Sequence, residues 1–286
     1  MHIVDGTILA KRIIDELAAR GGAWKEKFCA AFLIGENPES ISFLKQKESV
    51  AKVLGLDFRT YRIADTASND EVRKFIGTTV RGSTCGGALV QLPLPARTSG
   101  SKASGGPEKF NEQAIVNAIP KDKDVDCLSE SSLGGFYTGR GAISPPPVAA
   151  LEAILREMKC DPSGKNVVVA GRGRLIGMPI IHYFLRHART VSSVYLEHED
   201  DMRALKEADI IVSGVGKPGL ITGQHIKAGA ILIDFGYGRR GGKISGDVDI
   251  ESCEKTASFC TKTPGGTGPV VVAELFENFY RLNGGI

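Results

Sequence analysis

Two signatures alternate along the 286 residues: short unbroken apolar runs, and longer stretches with apolar residues at steps of three and four. "FCAAFLIG" (28–35), "GGALVQL" (86–92), "NVVVA" (166–170), "DIIVSG" (209–214) and "AILIDFG" (230–236) belong to the first kind and predict strands. "DFRTYRI" (57–63) and "VSSVYL" (191–196) join them. The second kind predicts a helix from about Glu39 to Leu54, stopped by Gly55, and another over 68–80 with Ser68, Asn69 or Asp70 as cap candidates. A last helix runs from about Pro269 to Leu282, with Val270, Val271, Leu275, Phe276 and Phe279 as its apolar positions. "MHIVDGTILAKRIIDELAAR" reads as an amphipathic helix, and its acids do not suit a signal peptide.

Strands alternating with helices predict an α/β protein with mostly parallel sheets and helices on both faces. The length suits two domains, and proline-rich "SPPPV" (144–148) is the best break between them. "RTSGSKASGGP" (97–107), rich in Gly and Ser, predicts a mobile loop.

Composition narrows the function. Hydrophobic content of 42% and charged content of 24% are those of a globular protein. A net charge of +3, with no basic cluster interleaved with aromatics, argues against nucleic acid. No apolar run approaches the roughly 20 residues that span a bilayer. The six cysteines form no CxxC pair and the five histidines lack ligand spacing, so no metal is expected and the thiols read as reduced, in a cytoplasmic protein.

Three stretches could carry chemistry. In "NVVVAGRGRLIGMP" a strand runs into Gly171, Gly173 and Gly177 and then a helix near Met178, a turn suited to a pyrophosphate at a helix N-terminus. The third glycine comes one position later than in the strict G-x-G-x-x-G spacing. At the end of the next strand, where a ribose is read, stands Glu197, an acceptor for hydroxyls and a poor neighbour for a 2′-phosphate; Arg172 and Arg174 argue the other way. In "VQLPLP" (90–95), Gln91 ends a strand on the side where such sheets bind ligands. In "NPESISFLKQK", Ser40, Phe43 and Lys47 share one helix face, which sets a lysine on an apolar stripe.

Taken in order, "IVDG", "GENPESISFLKQK", "VQLPLP", "KDVD", "GRGRLIGMP", "VGKPG" and "PGGTGP" resemble the methylenetetrahydrofolate dehydrogenase/cyclohydrolase family, from about Ile3 to Phe279. The resemblance implies an N-terminal α/β folate domain over 1–143, completed by a C-terminal helix at 268–286, a Rossmann-type NAD(P) domain over 144–267, and a cleft between them. It implies oxidation of 5,10-methylene-tetrahydrofolate with NADP or NAD, hydrolysis of the methenyl product to 10-formyl-tetrahydrofolate, and a homodimer built through the second domain. Lys47 becomes the proton-transfer residue, Gln91 the group that orients it, and Asp126 the carboxylate for the pterin N–H donors. Phe43, in place of the usual tyrosine, packs on the aminobenzoyl ring. Ser40, Pro93, Pro264, Gly265 and Gly266 fall to the substrate; Gly171, Arg172, Gly173, Arg174, Gly177, Glu197 and Gly216 fall to the cofactor. Glu197 tilts the choice toward NAD, while Arg172 and the family's habit tilt it toward NADP.

Several positions depart from the family pattern. Phe43 lacks the hydroxyl, Cys127 stands for a glycine that could need positive φ, Gly173 replaces a serine, and "YLE" (195–197) replaces the usual "CHS". These departures leave two alternatives to a bifunctional enzyme: a cyclohydrolase with weakened or lost dehydrogenase activity, and a non-catalytic folate-binding protein on the same scaffold.

Overall fold

A computed structural model describes residues 1–95 and 110–285; the loop expected at 97–107 lies outside them. The first half contains β1 (His2–Val4), α1 (Gly6–Ala19), β2 (Phe28–Ile34), α2 (Pro38–Leu54), β3 (Asp57–Ile63), α3 (Asn69–Val80), β4 (Cys85–Val90), α4 (Glu112–Val116) and α5 (Glu130–Thr138). Then follow α6 (Pro146–Glu157), β5 (Asn166–Ala170), α7 (Gly177–His187), β6 (Thr190–Val194), α8 (Glu199–Glu207), β7 (Ile210–Ser213) and β8 (Ile231–Asp234). The chain ends with β9 (Gly238–Arg240), β10 (Lys243–Ser245), α9 (Ile250–Cys253), β11 (Phe259–Thr261) and α10 (Thr267–Leu282). Two compact units result, one of residues 1–13 and 146–274, the other of 14–145 and 275–286.

The first unit is built on a six-stranded parallel sheet in the order β1-β11-β8-β7-β5-β6. β7 and β8 are buried along their whole length, as expected of strands covered on both faces. The N-terminus corrects the sequence reading. His2–Val4 are not helical but pair in parallel with Phe259–Thr261, and the helix begins only at Gly6. Asp5 makes the break, since its Oδ1 accepts from the Thr7 N–H at 2.9 Å and caps the new helix. The first thirteen residues therefore group with this unit, whereas the sequence boundary assigned all of 1–143 to the other. At the opposite edge, "VSSVYL" leaves the sheet after Val194, and buried Leu196 adopts a left-handed φ of 60°.

The second unit holds a three-stranded parallel sheet, β3-β2-β4, with β3 over the predicted residues. Phe28, Phe32, Ile34, Val72, Ile76 and Val90 form its core. Ser68 caps α3 in a reciprocal capping box with Glu71, so the first of the three cap candidates is the one used. The charge run "KDKDVDC" (121–127) looks like a solvated turn but lies along β4. Ala88 donates to Lys123 O at 2.6 Å, Val125 donates to Ala88 O at 3.3 Å, and Asp124, Val125 and Cys127 are buried. Gly87 permits this approach, because a Cβ there would lie 2.5 Å from Val125 Cγ1 and 2.7 Å from Phe279 Cδ2. Asn278 of α10 secures the segment by donating to Val125 O at 3.0 Å and Ser144 O at 2.8 Å. Cys127 does take the positive φ that favours glycine, at 55°, a conformation costing roughly 1–2 kcal/mol for a residue with a Cβ.

Candidate active site

Helix α2 brings the lysine inward. Asn37 accepts from the N–H groups of Glu39 (2.9 Å) and Ser40 (3.0 Å), Pro38 occupies the first turn, and Gly55 ends the helix in a left-handed C-cap. Its buried stripe is Ser40, Leu44, Lys47, Ala51 and Leu54, at helical spacing. Lys47 is only 8% exposed. Its Nζ donates to Gln91 Oε1 at 3.1 Å, and the Gln91 Nε2 donates to Leu92 O at 2.8 Å, which holds the amide's orientation. The bond between Leu92 and Pro93 is cis. Asp126 Oδ2 lies 3.8 Å from Lys47 Nζ. Burial raises the Asp126 carboxyl above the usual carboxylate range; the Lys47 charge opposes this and buried Asp124 adds to it.

The structure thus brings Lys47, Gln91 and Asp126 into one cluster. Half-buried Phe43 sits one turn before the lysine on the same helix. One further turn back, the Ser40 hydroxyl is buried with no hydrogen-bond partner among the described residues. An orphaned buried hydroxyl costs about 1–3 kcal/mol unless something else satisfies it.

The glycine turn belongs to the six-stranded unit. Gly171 has φ 91° and donates its N–H to Val194 O at 2.8 Å. A Cβ on Gly171 would meet Gly214 O at 2.9 Å, and one on Gly177 would meet Gly171 O at 2.0 Å. The late third glycine is therefore the one that lets helix and strand close up. Gly173 faces open space, so no contact there demands glycine. The side chain of Ile176, at the N-cap of α7 before Gly177, makes no capping hydrogen bond. A backbone cradle that a Cβ would fill, next to that helix N-terminus, fits the pyrophosphate of a dinucleotide.

Around the ribose position the side chains are ordered. Arg172 donates from Nε to Ser193 Oγ at 2.8 Å and from Nη2 to Ser193 O at 2.7 Å, and its guanidinium lies 4.5 Å from the centre of the Tyr195 ring. It is not a loose loop charge. Arg174 is half-buried, and Glu197 is exposed, its N–H donating to Asp201 Oδ2 at 3.0 Å. Gly216, exposed in the turn after β7, has φ 76°. Pro264, Gly265 and Gly266 form a tight turn in the same unit. Thr7 N donates to Gly265 O at 3.1 Å, and Gly266 packs where a Cβ would lie 2.0 Å from Lys262 O. Asp5, the cap of α1, also pairs with Lys262 at 2.6 Å beside that turn.

Sequence reasoning passed over Asp234 and Asp247, both buried among the loops at the carboxyl ends of the strands. The available signal was an acid closing an apolar run in "ILID" and a second D-V-D, at 247–249, echoing the one at 124–126.

A parallel glycine-turn sheet in one unit and a buried, amide-held lysine beside a carboxylate in the other define a two-unit α/β enzyme of the dinucleotide-dependent oxidoreductase class. Family models agree over most of the chain. Residues 4–126 match the tetrahydrofolate dehydrogenase/cyclohydrolase catalytic domain, and residues 145–283 match that family's NAD(P)-binding domain. The chain belongs to this family: it is a bifunctional methylenetetrahydrofolate dehydrogenase and methenyltetrahydrofolate cyclohydrolase that uses a nicotinamide dinucleotide. It is 34% identical to the bifunctional protein FolD of Geobacillus thermodenitrificans, over 97% of this chain and 95% of that one. A FolD crystal structure from Campylobacter jejuni superposes with a TM-score of 0.90 at 29% identity, covering 99% of this chain and 98% of that one. The Trypanosoma brucei FolD, solved with NADP and an inhibitor, does so at 0.88 and 26% identity, covering 98% and 96%.

Proposed function

We propose that Lys47 carries the proton transfers of the cyclohydrolase step, with Gln91 orienting it and Asp126 receiving the pterin N–H donors. The observation that carries this reading is the buried Lys47 Nζ, hydrogen-bonded to Gln91 Oε1 at 3.1 Å and 3.8 Å from the Asp126 carboxylate. Water adds to the cationic methenyl carbon, and Lys47 accepts the proton that this water gives up. The bond from that carbon to N5 then breaks, N5 takes a proton back from the lysine, and loss of the adduct's hydroxyl proton leaves the 10-formyl product. The step releases one proton overall. Gln91 keeps Nζ in one place, which removes orientational freedom before the chemistry begins. Ser40, Phe43 and Pro93 line the folate side, and Pro264, Gly265 and Gly266 supply backbone groups to the substrate.

A bound nicotinamide dinucleotide would supply the hydride acceptor for the preceding oxidation of the methylene carbon. Gly171, Gly173, Arg174, Gly177 and Gly216 hold it, and Arg172 selects NADP over NAD. Tied to Ser193 and stacked on Tyr195, the Arg172 charge stays at the end of β6, where a ribose is read and a 2′-phosphate would be met. Glu197 is exposed and able to turn away. Dehydrogenase rates measured side by side with the two cofactors test the choice: a higher kcat/KM with NAD refutes it, and activity with neither favours the cyclohydrolase-only alternative.

Phe43 keeps the ring and lacks a hydroxyl. Phe43→Tyr is expected to raise the cyclohydrolase rate about two- to tenfold, the value of one hydrogen bond of about 0.5–1.5 kcal/mol. A rise near 100-fold would instead make the missing hydroxyl a proton-transfer group.

The chain functions as a homodimer through the six-stranded unit. β6 is an outer strand of its sheet, and Leu185 and Met178 of α7 are 66% and 48% exposed. All six cysteines are unpaired, which supports a reducing, cytoplasmic location.

A further inference from the structure

The carboxylates of Asp234 and Asp247 have no part in the scheme above, yet they are among the most deeply buried acids in the six-stranded unit, 2% and 0% exposed. Burying a carboxylate is costly unless donors surround it. Asp247 has three, all from one stretch of chain: Ser213 Oγ at 2.6 Å and Val215 N at 2.7 Å on Oδ2, and Lys217 N at 2.7 Å on Oδ1. One side chain from the loop after β10 therefore dictates the backbone path just beyond β7. The fit leaves no slack, since a Cβ on Gly236 would lie 2.2 Å from Asp247 Cγ.

Asp234 completes the node. Its Oδ1 accepts from Gly236 N at 2.7 Å and its Oδ2 from Val248 N at 3.0 Å, while its backbone carbonyl accepts from Thr267 Oγ1 at 2.8 Å. The loops after β8, β10 and β11 are thereby tied together. Burial, with help from the Asp247 charge, pushes its carboxyl up to about 7. In sheets of this kind the ligand lies outside the carboxyl ends of the strands, and the stretch that Asp247 governs contains Gly214, against which Gly171 packs, and left-handed Gly216.

We propose that Asp247 is a positioning residue for the dehydrogenase, shaping the Gly214–Lys217 turn to receive the nicotinamide dinucleotide without touching it. The proposal rests on the reading that Gly216 faces the cofactor. An asparagine at 247 presents an N–H₂ where two acceptor oxygens are needed, so it frees at least one of the three donors and the turn relaxes.

The test uses the full-length enzyme with NADP, and with methenyl-tetrahydrofolate hydrolysis assayed in the absence of dinucleotide. Asp247→Asn is expected to raise the KM for NADP about tenfold or more, the effect of losing a charge-assisted bond. kcat and the KM for methylene-tetrahydrofolate should stay within about threefold, and methenyl hydrolysis should not change. An unchanged KM for NADP, a loss confined to kcat, or a parallel fall of both activities overturns the proposal. If the variant does not fold, Ser213→Ala removes one bond of the three and is expected to raise the same KM about two- to fivefold; no rise there overturns it equally. Gly216→Ala separates the two layers. If it weakens NADP binding while Asp247→Asn does not, the turn faces the cofactor but Asp247 does not shape it. If neither variant does, the placement of Gly216 falls as well.

Discussion

Lys47→Met eliminates hydrolysis of methenyl-tetrahydrofolate, by at least about 100-fold, while folate still binds. Methionine is unbranched and flexible, so it fills the space of the lysine stem between α2 and β4 without a cavity. What it lacks is the nitrogen that moves the proton. Gln91 keeps its own bond to Leu92 O and so remains in place, with one oxygen unpaired. The substitution also leaves the buried Asp126 carboxyl without the nitrogen 3.8 Å away, so the thermal midpoint is expected to fall by several degrees while the protein still folds. The measurements are decay of the methenyl chromophore and a separate folate-binding titration. Unchanged hydrolysis takes the lysine out of the mechanism, and lost folate binding would make it a substrate ligand instead. Hydride transfer is expected to suffer less, because it depends on how two rings are held more than on a proton donor.

Gly177→Ala is the second large effect. The added methyl would lie 2.0 Å from Gly171 O, 2.8 Å from Gly171 C and 2.9 Å from Arg172 Cα. All three are backbone atoms, so no rotamer change relieves the clash and the turn between β5 and α7 has to open. A displacement of about 1 Å at a binding cradle costs on the order of 100-fold in rate; the dehydrogenase is expected to fall by at least that much. Gly164→Ala, in the exposed turn before β5, serves as the control, since nothing lies within 4 Å of a Cβ there. It should leave the dehydrogenase within about twofold, the range of a surface substitution. Equal losses in the two variants would mean that the clash at 177 is not what matters. The cyclohydrolase rate, read on the same preparations, reports whether Lys47 and Gln91 are undisturbed.

Much of this was legible along the chain because it is encoded locally. The stripe that carries Lys47 follows from steps of three and four between Asn37 and Gly55, residues that start and stop the helix by their own chemistry. β3 occupies the residues that its composition predicts, and the turn from β5 to α7 is visible in its glycines. Other features were not legible, for reasons that differ from place to place. His2–Val4 resemble the start of a helix until β11 offers an edge to pair with. The acids of 121–127 look solvated until Gly87 lets the chain come close and Asn278 holds it there. Arg172 looks like a loose loop charge until Ser193 and Tyr195 receive it.

By itself, the sequence determined the α/β class, most element positions, the inward face of α2 and the family with its two activities. Each depends on spacing within one or two turns of helix, on a strand's own side chains, or on motifs that survive as strings. The tertiary structure alone decided which acid meets which donor. It set Asp126 near Lys47, gave Asp247 its three partners, and left the Ser40 hydroxyl without a partner among the described residues. Those pairings join residues far apart in the chain, and a carboxylate or hydroxyl carries no mark of its partner until folding removes the water that would otherwise satisfy it.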